Sequence, residues 1–266
     1  MDSDPSDHRH GTDGDLAGRS LVVVSLAGRN LVNLVDALQD SGASVVEVQS
    51  LERAGRTVQG TGTAVVVDAK VVTPGLHAGL RALGRQSAII VLVPGGTVRE
   101  RTEMLHSGAD HVLPSDDPDD VIATLAAVLR RSGSPGGGGR TDILRTGEIT
   151  LHLLDRTATT AGEPLDLTFL EFDLLAYFLT HPGEALSRDR LLADVWGYDV
   201  GGRDTVTVHV RRLRTKIEAD PASPTLLRTV RRIGYRLDPQ SSSVSSDQDG
   251  QHRSRRWSDN PAVRNM

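Results

Sequence analysis

"DTVTVHVRRLRTK", residues 204–216, sets four cations among regularly spaced valines. On an α-helix, Val206, Val210 and Leu213 fall on one face, which Ile217 extends, and this apolar face would be buried. Few acids lie one turn away from the cations to offset them. The basic face is therefore either an ordinary solvated surface or a surface for phosphate groups, and the surrounding sequence has to decide between these two interpretations.

The charge of the chain is unevenly distributed. The 266 residues carry a net charge of −5, which taken alone argues against a nucleic-acid partner. However, residues 203–236 hold nine cations and three acids, a net charge of +6, whereas residues 143–202 hold four cations and ten acids, a net charge of −6. A cationic block within an acidic protein indicates one surface that is suited to a polyanion.

The composition argues against several classes of protein. There is no cysteine, so a disulfide framework and a thiolate metal site are excluded, and a reducing, cytoplasmic location is expected. No apolar run approaches 18 residues, so we expect neither a spanning helix nor a signal peptide. The nine histidines are scattered without ligand spacing, and the G-x-G-x-x-G and G-K-[ST] patterns are missing. We therefore expect no metal, no cofactor and no enzymatic activity.

Low-hydrophobicity and glycine-rich segments divide the chain into two domains. Residues 1–19 and 239–266 have the composition of disordered tails, and residues 132–142 read as a flexible linker. Residues 20–131 alternate strands with helices, which predicts a doubly wound, flavodoxin-like α/β domain. Residues 143–238 run from short strands through three helices to a hairpin, which predicts a smaller α+β domain.

Short β-branched runs mark the strands of the first domain. Their unbroken Val, Ile and Leu content predicts a parallel sheet that is buried on both faces. Apolar spacing marks a helix over 31–38 and another over 121–128, while 49–60 is left open between a poor helix and a loop. The predicted strands lie at 21–25, 43–48, 63–68, 88–93 and 110–114.

Three ordered motifs of the second domain carry a resemblance to a known family. They are "LDLTFLEFDLLAYFLTHPGEALSRDRLLADVWG" (165–197), "TVTVHVRRLRTKIEADP" (205–221) and "LLRTVRRIGYRL" (226–237). Together they resemble the winged helix-turn-helix DNA-binding domain of OmpR/PhoB-type response regulators. The resemblance implies that residues 204–217 form the recognition helix in the major groove, and that the 229–236 hairpin is a wing at the minor groove.

The helical wheel and the resemblance favour the same DNA-facing side of this helix. Arg212 can present a bidentate fork to guanine, and Val208 can contact a thymine methyl. Side chains at the edges of that face are expected on phosphates, and Arg231 at the wing tip is the candidate for the minor groove. Trp196 either donates its indole N–H to a phosphate or packs as a half-buried aromatic. The predicted DNA-binding set is Trp196, Thr205, Val208, His209, Arg211, Arg212, Arg214, Thr215, Arg231 and Arg232.

Two positions depart from the family pattern. Asp204 stands where many relatives carry a cation or a neutral polar residue, and an acid there could cap the helix but would repel a phosphate. Arg232 occupies a wing position that is often glycine. It therefore adds a cation, and a backbone conformation that suits glycine would be less favourable for it.

The first domain should then correspond to a receiver that has lost most of its chemistry. A receiver needs an acidic pair after strand 1 for Mg²⁺, a phosphate-accepting aspartate after strand 3, a hydroxyl after strand 4 and a lysine after strand 5. Asp68 is retained, but Ser25 and Leu26 replace the acidic pair, Val93 the hydroxyl and Ser115 the lysine. We interpret Asp68 as a structural or ligand-contacting acid. Asp68, Ser25, Val93 and Ser115 remain a possible phospho-acceptor or ligand pocket.

These observations favour one function over two alternatives. The favoured hypothesis is a sequence-specific transcription regulator that works independently of phosphorylation, controlled by a small molecule, a protein partner or abundance. The alternatives are a conventional response regulator phosphorylated on Asp68, and an interaction module without specific DNA binding. The expected partners are double-stranded DNA with direct-repeat half-sites and a second copy of the chain, which would pair through the receiver's last helix (119–131). No membrane partner is expected.

Overall fold

The computed structural model describes residues 16–58, 63–132, 142–197 and 203–238. The predicted C-terminal tail, and most of the predicted N-terminal tail and linker, lie outside these described residues. Within the described ranges, no helix is both long enough and apolar enough to cross a bilayer.

The first domain contains the predicted five-stranded parallel sheet. The strand order is β2-β1-β3-β4-β5, which leaves β5 at one edge. The central strands are buried on both faces, as their unbroken aliphatic runs predict, and every residue of β3 and β4 is buried. The strands are β1 (Ser20–Ser25), β2 (Ser44–Val48), β3 (Thr63–Asp68), β4 (Ala88–Leu92) and β5 (His111–Leu113).

Five helices cover the two faces of this sheet. The ambiguous region 49–60 contains the short helix α2, which Ser50 caps by accepting the Arg53 N–H at 3.2 Å. The apolar spacing did not delimit α3, which begins with Thr73 as its cap and Pro74 in its first turn. The helices are α1 (Val32–Asp40), α2 (Leu51–Thr57), α3 (Pro74–Leu83), α4 (Val98–Ser107) and α5 (Pro118–Ser132).

The core of the first domain extends into the predicted N-terminal tail. Leu16 is 1% exposed, and its N–H donates to the Ser41 carbonyl at 3.2 Å. Burial of a leucine side chain is favourable by about 2 kcal/mol, so this residue belongs to the folded domain. The domain therefore begins before residue 20.

The second domain has the predicted order of sheet, helices and hairpin. Ala161 and Gly162 form the predicted turn, both with positive φ, as a two-residue hairpin connection requires. The first sheet consists of β6 (Ile143–Thr146), β7 (Ile149–His152), β8 (Thr157–Thr160) and β9 (Glu163–Pro164). There follow α6 (Phe169–Thr180), β10 (Leu186–Ser187), α7 (Arg188–Leu191), a π-helical segment (Leu192–Trp196), α8 (Arg203–Ile217), β11 (Leu227–Val230) and β12 (Gly234–Leu237).

The two domains pack against each other at the β5 edge of the parallel sheet. Helix α4 contacts α8, and α5 contacts the π-helical segment. At a second point of contact, the Phe169 N–H donates to the Gly84 carbonyl at 2.7 Å. The carbonyls of Ala109 and Asp110, which directly precede the edge strand, accept hydrogen bonds from Arg212 and Trp196 of the second domain. We call this arrangement the closed conformation.

Candidate nucleic-acid interface

Helix α8 is buried on two faces. Its apolar face, with Val206, Val210 and Leu213, packs into the second domain, as the helical wheel predicts. The adjoining face packs against the first domain instead of facing solvent. It consists of Thr205 (3% exposed), Val208 (5%), His209 (0%) and Arg212 (8%). The side chains predicted to face the major groove are therefore covered in this conformation.

Arg212 is held by groups from both domains. Its Nε lies 2.9 Å from Oε1 of Glu171 in α6, and its Nη1 donates to the Ala109 carbonyl of the first domain at 3.3 Å. Burial raises the pKa of Glu171, but the charges of Arg212 and Lys216 outweigh burial and lower it below its ordinary value. Glu171 thus stays ionised and fixes the Arg212 side chain. To reach a guanine, the guanidinium would have to leave the first domain.

Trp196 lies at the domain boundary. Its indole N–H donates to the Asp110 carbonyl of the first domain at 3.3 Å, and the residue is 0% exposed. Its ring meets the His209 ring edge-on, with the centroids 5.1 Å apart. Of the two predicted roles, the closed conformation matches the packing role, and the burial is deeper than expected. A phosphate contact is impossible here because the indole N–H is already used.

The remaining predicted contact residues stay on the outside. Arg211, Thr215, Arg231 and Arg232 are exposed. Arg232 has φ 62°, which confirms that this position strains a residue other than glycine, by about 1 kcal/mol. Asp204 lies in the first turn of α8 and is not the cap residue. The helix dipole stabilises its negative charge in this first turn.

Arg214 connects the recognition helix to the wing. It donates to the Leu227 carbonyl at 2.9 Å and to Thr229 Oγ1 at 2.8 Å, and it lies over the Tyr235 ring. Partial burial lowers its pKa from the ordinary value. Its guanidinium therefore fixes the angle between α8 and β11, a role that the sequence analysis did not predict.

In the receiver-like domain, Arg29 binds the lone aspartate. The Arg29 Nε donates to Oδ1 of Asp68 at 2.8 Å, a second nitrogen of the guanidinium contacts the same oxygen, and Nη1 donates to Oδ2 of Asp116 at 2.8 Å. Asp68 is fully buried, and the hydrogen bond to Asp68 raises the pKa of Arg29. Asp116 directly precedes the first turn of α5 and pairs with this arginine.

The residues around Asp68 do not fit the Mg²⁺ ion of a conventional receiver. Ser25 Oγ donates to the Arg29 carbonyl at 3.3 Å, Leu26 is 40% exposed, and Val93 is buried and apolar. Ser115 Oγ accepts the Asp117 N–H at 3.0 Å. A hard cation needs several oxygen ligands, and here a guanidinium already neutralises the buried carboxylate. The sequence analysis missed Arg29, although a cation shortly after β1, where acids are expected, was a usable signal.

The fold and the α8–wing surface define a class of protein, a winged-helix transcription regulator with a receiver-like domain. Residues 162–237 match the family described as "Transcriptional regulatory protein, C terminal". The sensory transduction protein RegX3 of Mycolicibacterium smegmatis is 37% identical over 161 residues, which cover 60% of this chain and 71% of that protein. The chain therefore belongs to the OmpR/PhoB-type DNA-binding response regulators.

Further comparisons agree with this membership. The transcriptional regulatory protein AfsQ1 of Streptomyces coelicolor is 44% identical over 137 residues, which cover 51% of this chain and 59% of that protein. A solved structure of a RitR mutant superposes with a TM-score of 0.66 at 19% identity, and the match covers 84% of this chain and 100% of that chain. At that identity the likeness concerns the fold alone.

Proposed function

We propose that this protein is a sequence-specific transcription regulator whose DNA-reading face is hidden by its own receiver-like domain and uncovered when the domains separate. One observation carries this proposal: Val208 and Arg212 are buried against the first domain, while the cations beside them, Arg211, Arg231 and Arg232, remain exposed. Base-reading groups and the first domain thus compete for one face of α8. Phosphate contacts fix a protein on DNA, whereas base contacts specify the sequence.

The proposed regulation does not use phosphorylation of the receiver. Arg29 neutralises Asp68 from within the chain, and Ser25, Val93 and Ser115 offer neither a carboxylate for a metal nor a cation for a phosphoryl group. The charge that develops on a transferring phosphoryl group would be poorly neutralised in such a pocket. The signal would instead reach the contact between the domains, and no enzymatic activity is required.

A second copy of the chain is the proposed partner in the open form. In the closed conformation, α5 packs against the π-helical segment, and Ile122 and Leu129 of α5 are buried. Domain separation would free part of this surface for a two-fold contact that places two winged domains on neighbouring half-sites, one helical turn apart.

The DNA-binding proposal is tested by separating specificity from overall affinity. A DNA site is first selected from random sequences with the full chain. Arg212→Ala should then reduce the ratio of cognate to scrambled-site affinity by about 1–3 kcal/mol, because one bidentate base contact is lost. The ratio of the two affinities is measured because Arg212→Ala also removes a contact to the first domain. The resulting change in closure affects the affinity for every DNA equally and therefore cancels in the ratio. An unchanged ratio would refute the assignment of Arg212 to the groove.

Arg211→Ala is the matched control for this test. Arg211 is exposed on the same helix and is assigned to a phosphate. Its loss should weaken cognate and scrambled sites alike and reduce the salt dependence of binding by about one counterion. A loss confined to the cognate site would instead assign Arg211 to base recognition.

The phosphorylation proposal is tested by intact-mass measurement. Incubation with a small-molecule phosphodonor and Mg²⁺ should leave the mass of the protein unchanged, because the pocket lacks the acidic pair after β1 and Asp68 is bound by Arg29. A phosphoryl mass that appears in the native chain and disappears in Asp68→Asn would establish the conventional alternative.

A further inference from the structure

Three buried titratable side chains lie close to one another where the two domains pack together. His111 begins β5 in the first domain, Asp110 directly precedes it, and His209 lies on α8 in the second domain. All three are at most 1% exposed, and Oδ1 of Asp110 lies 3.8 Å from Nε2 of His209. We call these three residues the histidine cluster.

Several polar atoms of this cluster have no hydrogen-bond partner among the described residues. They are both ring nitrogens of His111, Nε2 of His209 and Oδ1 of Asp110. In contrast, Nδ1 of His209 is bonded to the Thr205 carbonyl at 2.9 Å. A buried polar atom without a partner costs about 1–3 kcal/mol, and water would supply the missing partners once the domains separate. The histidine cluster therefore disfavours the closed conformation, and separation of the domains would remove this cost.

We propose that this contact is proton-sensitive, so that closure requires a neutral His111 and protonation of His111 separates the domains and uncovers the DNA-reading face of α8. The proposal deepens the proposed function by naming the chemical signal to which the closed conformation responds, and it rests on that function only for its effect on DNA. No phosphoryl group and no further ligand is required.

The charges around the cluster determine the direction of the effect. Burial, together with the neighbouring His209, lowers the pKa of His111 to about 3, from an ordinary value of 6.5. Asp110 is a counter-charge for one imidazolium, yet its Oδ2 is already used by the Ile89 N–H at 2.9 Å. On the α8 side, Arg212 adds a cation. Its partner Glu171 also pairs with Lys216. A proton on His111 would thus be buried beside a second imidazole, with no hydrogen-bond acceptor on its own ring nitrogens among the described residues.

The remaining charged side chains on the packed elements lie towards solvent. On α4, Glu103 and His106 are exposed, and on α5 Asp119, Asp120 and Arg130 are exposed. On the π-helical segment, Asp194 accepts a hydrogen bond from the Tyr177 hydroxyl and lies 3.4 Å from Nε of Arg190. None of these groups is buried with His111, so none replaces the missing partners of its ring.

The sign of the pH dependence follows from the lowered pKa. The closed form binds a proton on His111 only near pH 3, whereas an open form with a hydrated His111 binds it near pH 6.5. The contribution of neutral His111 to the stability of the closed form is therefore fully present above about pH 6.5. It is lost as the pH decreases below that value. With a difference of one proton, the ratio of open to closed molecules rises about tenfold for each pH unit below that value.

The experiment measures opening directly in the full chain and without DNA. The chain contains two tryptophans, so Trp257→Phe leaves Trp196, at the domain boundary, as the only indole. Between pH 8 and pH 5.5 its emission maximum should move to longer wavelength, and the radius of gyration from small-angle X-ray scattering should increase together with it. Far-UV circular dichroism should stay constant, because the domains separate without unfolding.

Substitutions of two histidines provide the matched comparison. His111→Leu and His111→Gln cannot take up the proton, so both variants should stay closed down to pH 5.5. His106→Gln removes an exposed histidine of α4 and should open like the parent chain. A parent chain that stays closed at pH 5.5, or a His111 variant that opens with the parent, would overturn the proposal.

Cognate DNA binding, measured over the same pH range, separates this proposal from the proposed function. Affinity should rise on acidification in the parent and remain flat in His111→Gln, which leaves every predicted DNA-contacting side chain in place. Opening without any cognate affinity at low pH would support the proton-sensitive contact but contradict the proposed DNA-reading face.

Discussion

A disulfide between the two domains should abolish sequence-specific DNA binding, and reduction should restore it. The double variant Gly84→Cys/Thr168→Cys is suited to this, because an ideal Cβ at Gly84 lies 3.5 Å from Cγ2 of Thr168 and the natural chain contains no cysteine. The sulfur of a cysteine at position 168 can take a place near that of Cγ2, which brings it close enough to the Cβ at position 84 for a disulfide. Gly84 has φ −63°, so the backbone accepts a side chain there. With Val208 and Arg212 held against the first domain, cognate affinity should fall by about a thousandfold or more, towards non-specific binding.

The measurement compares the oxidised and reduced states of one preparation. Both single-cysteine variants serve as controls, because Thr168→Cys also changes the cap of α6 and Gly84→Cys brings a Cβ within 3.1 Å of the Leu80 carbonyl. The oxidised protein should also sediment as a monomer in DNA-free samples if the proposed two-fold contact needs the open form. Full cognate affinity in the oxidised state would mean that the closed conformation does not hide the DNA-reading face.

Local patterns predicted the strands and several helices of the two domains but not the contact between the domains. The spacing of Val206, Val210 and Leu213 correctly separated the buried face of α8 from the face that carries Val208 and Arg212. What covers that second face is the first domain, and the Ala109 carbonyl that binds Arg212 lies 103 residues away in sequence. Helical periodicity describes one helix and its nearest neighbours, so it gives no information about such a distant partner.

The candidate pocket shows a different limit of sequence reasoning. The replacement of the acidic pair is visible in the sequence, because Ser25 ends a recognisable strand and Leu26 follows it directly. The compensating cation is visible in the sequence shortly after β1, but its partner could not be predicted. Arg29 lies in a loop without periodicity, and its pairing with Asp68 depends on how that loop folds back over the sheet. Helix α3 was missed for a related reason: its two glycines, Gly75 and Gly79, weaken both its helix propensity and its apolar pattern.

The Arg29–Asp68 pair and the contact between the domains together indicate a changed role for the receiver-like domain under the proposed function. In this domain an internal arginine supplies the positive charge at Asp68, so the buried carboxylate has a counter-charge without a metal or a phosphoryl group. The edge strand β5 and the surfaces of α4 and α5 then serve to cover α8 and the π-helical segment. Control would pass from the pocket to the contact between the domains, where the histidine cluster lies.

Removal of Arg29 should destabilise the protein far more than removal of an ordinary surface arginine. Arg29→Met leaves the Asp68 carboxylate buried without its cation, since the Asp68 side chain is only 1% exposed while that of Arg29 is 24% exposed. Loss of one partner of a buried pair costs about 3–5 kcal/mol, and we expect the lower end because Arg29 is partly hydrated. Urea unfolding monitored by circular dichroism would measure the loss.

Two further variants make this expectation specific to the buried pair. Arg29→Met/Asp68→Asn removes both charges, so it should recover most of the lost free energy of unfolding, because no buried charge is left without a partner. Arg56→Met breaks the exposed Arg56–Glu52 pair, whose side chains are 77% and 76% exposed, and it should have little effect. Equal losses for Arg29→Met and Arg56→Met, or no recovery in the double variant, would show that Arg29 does not neutralise Asp68. The pocket would then again be open to a metal and a phosphoryl group, and the phosphodonor experiment would decide between the two forms of regulation.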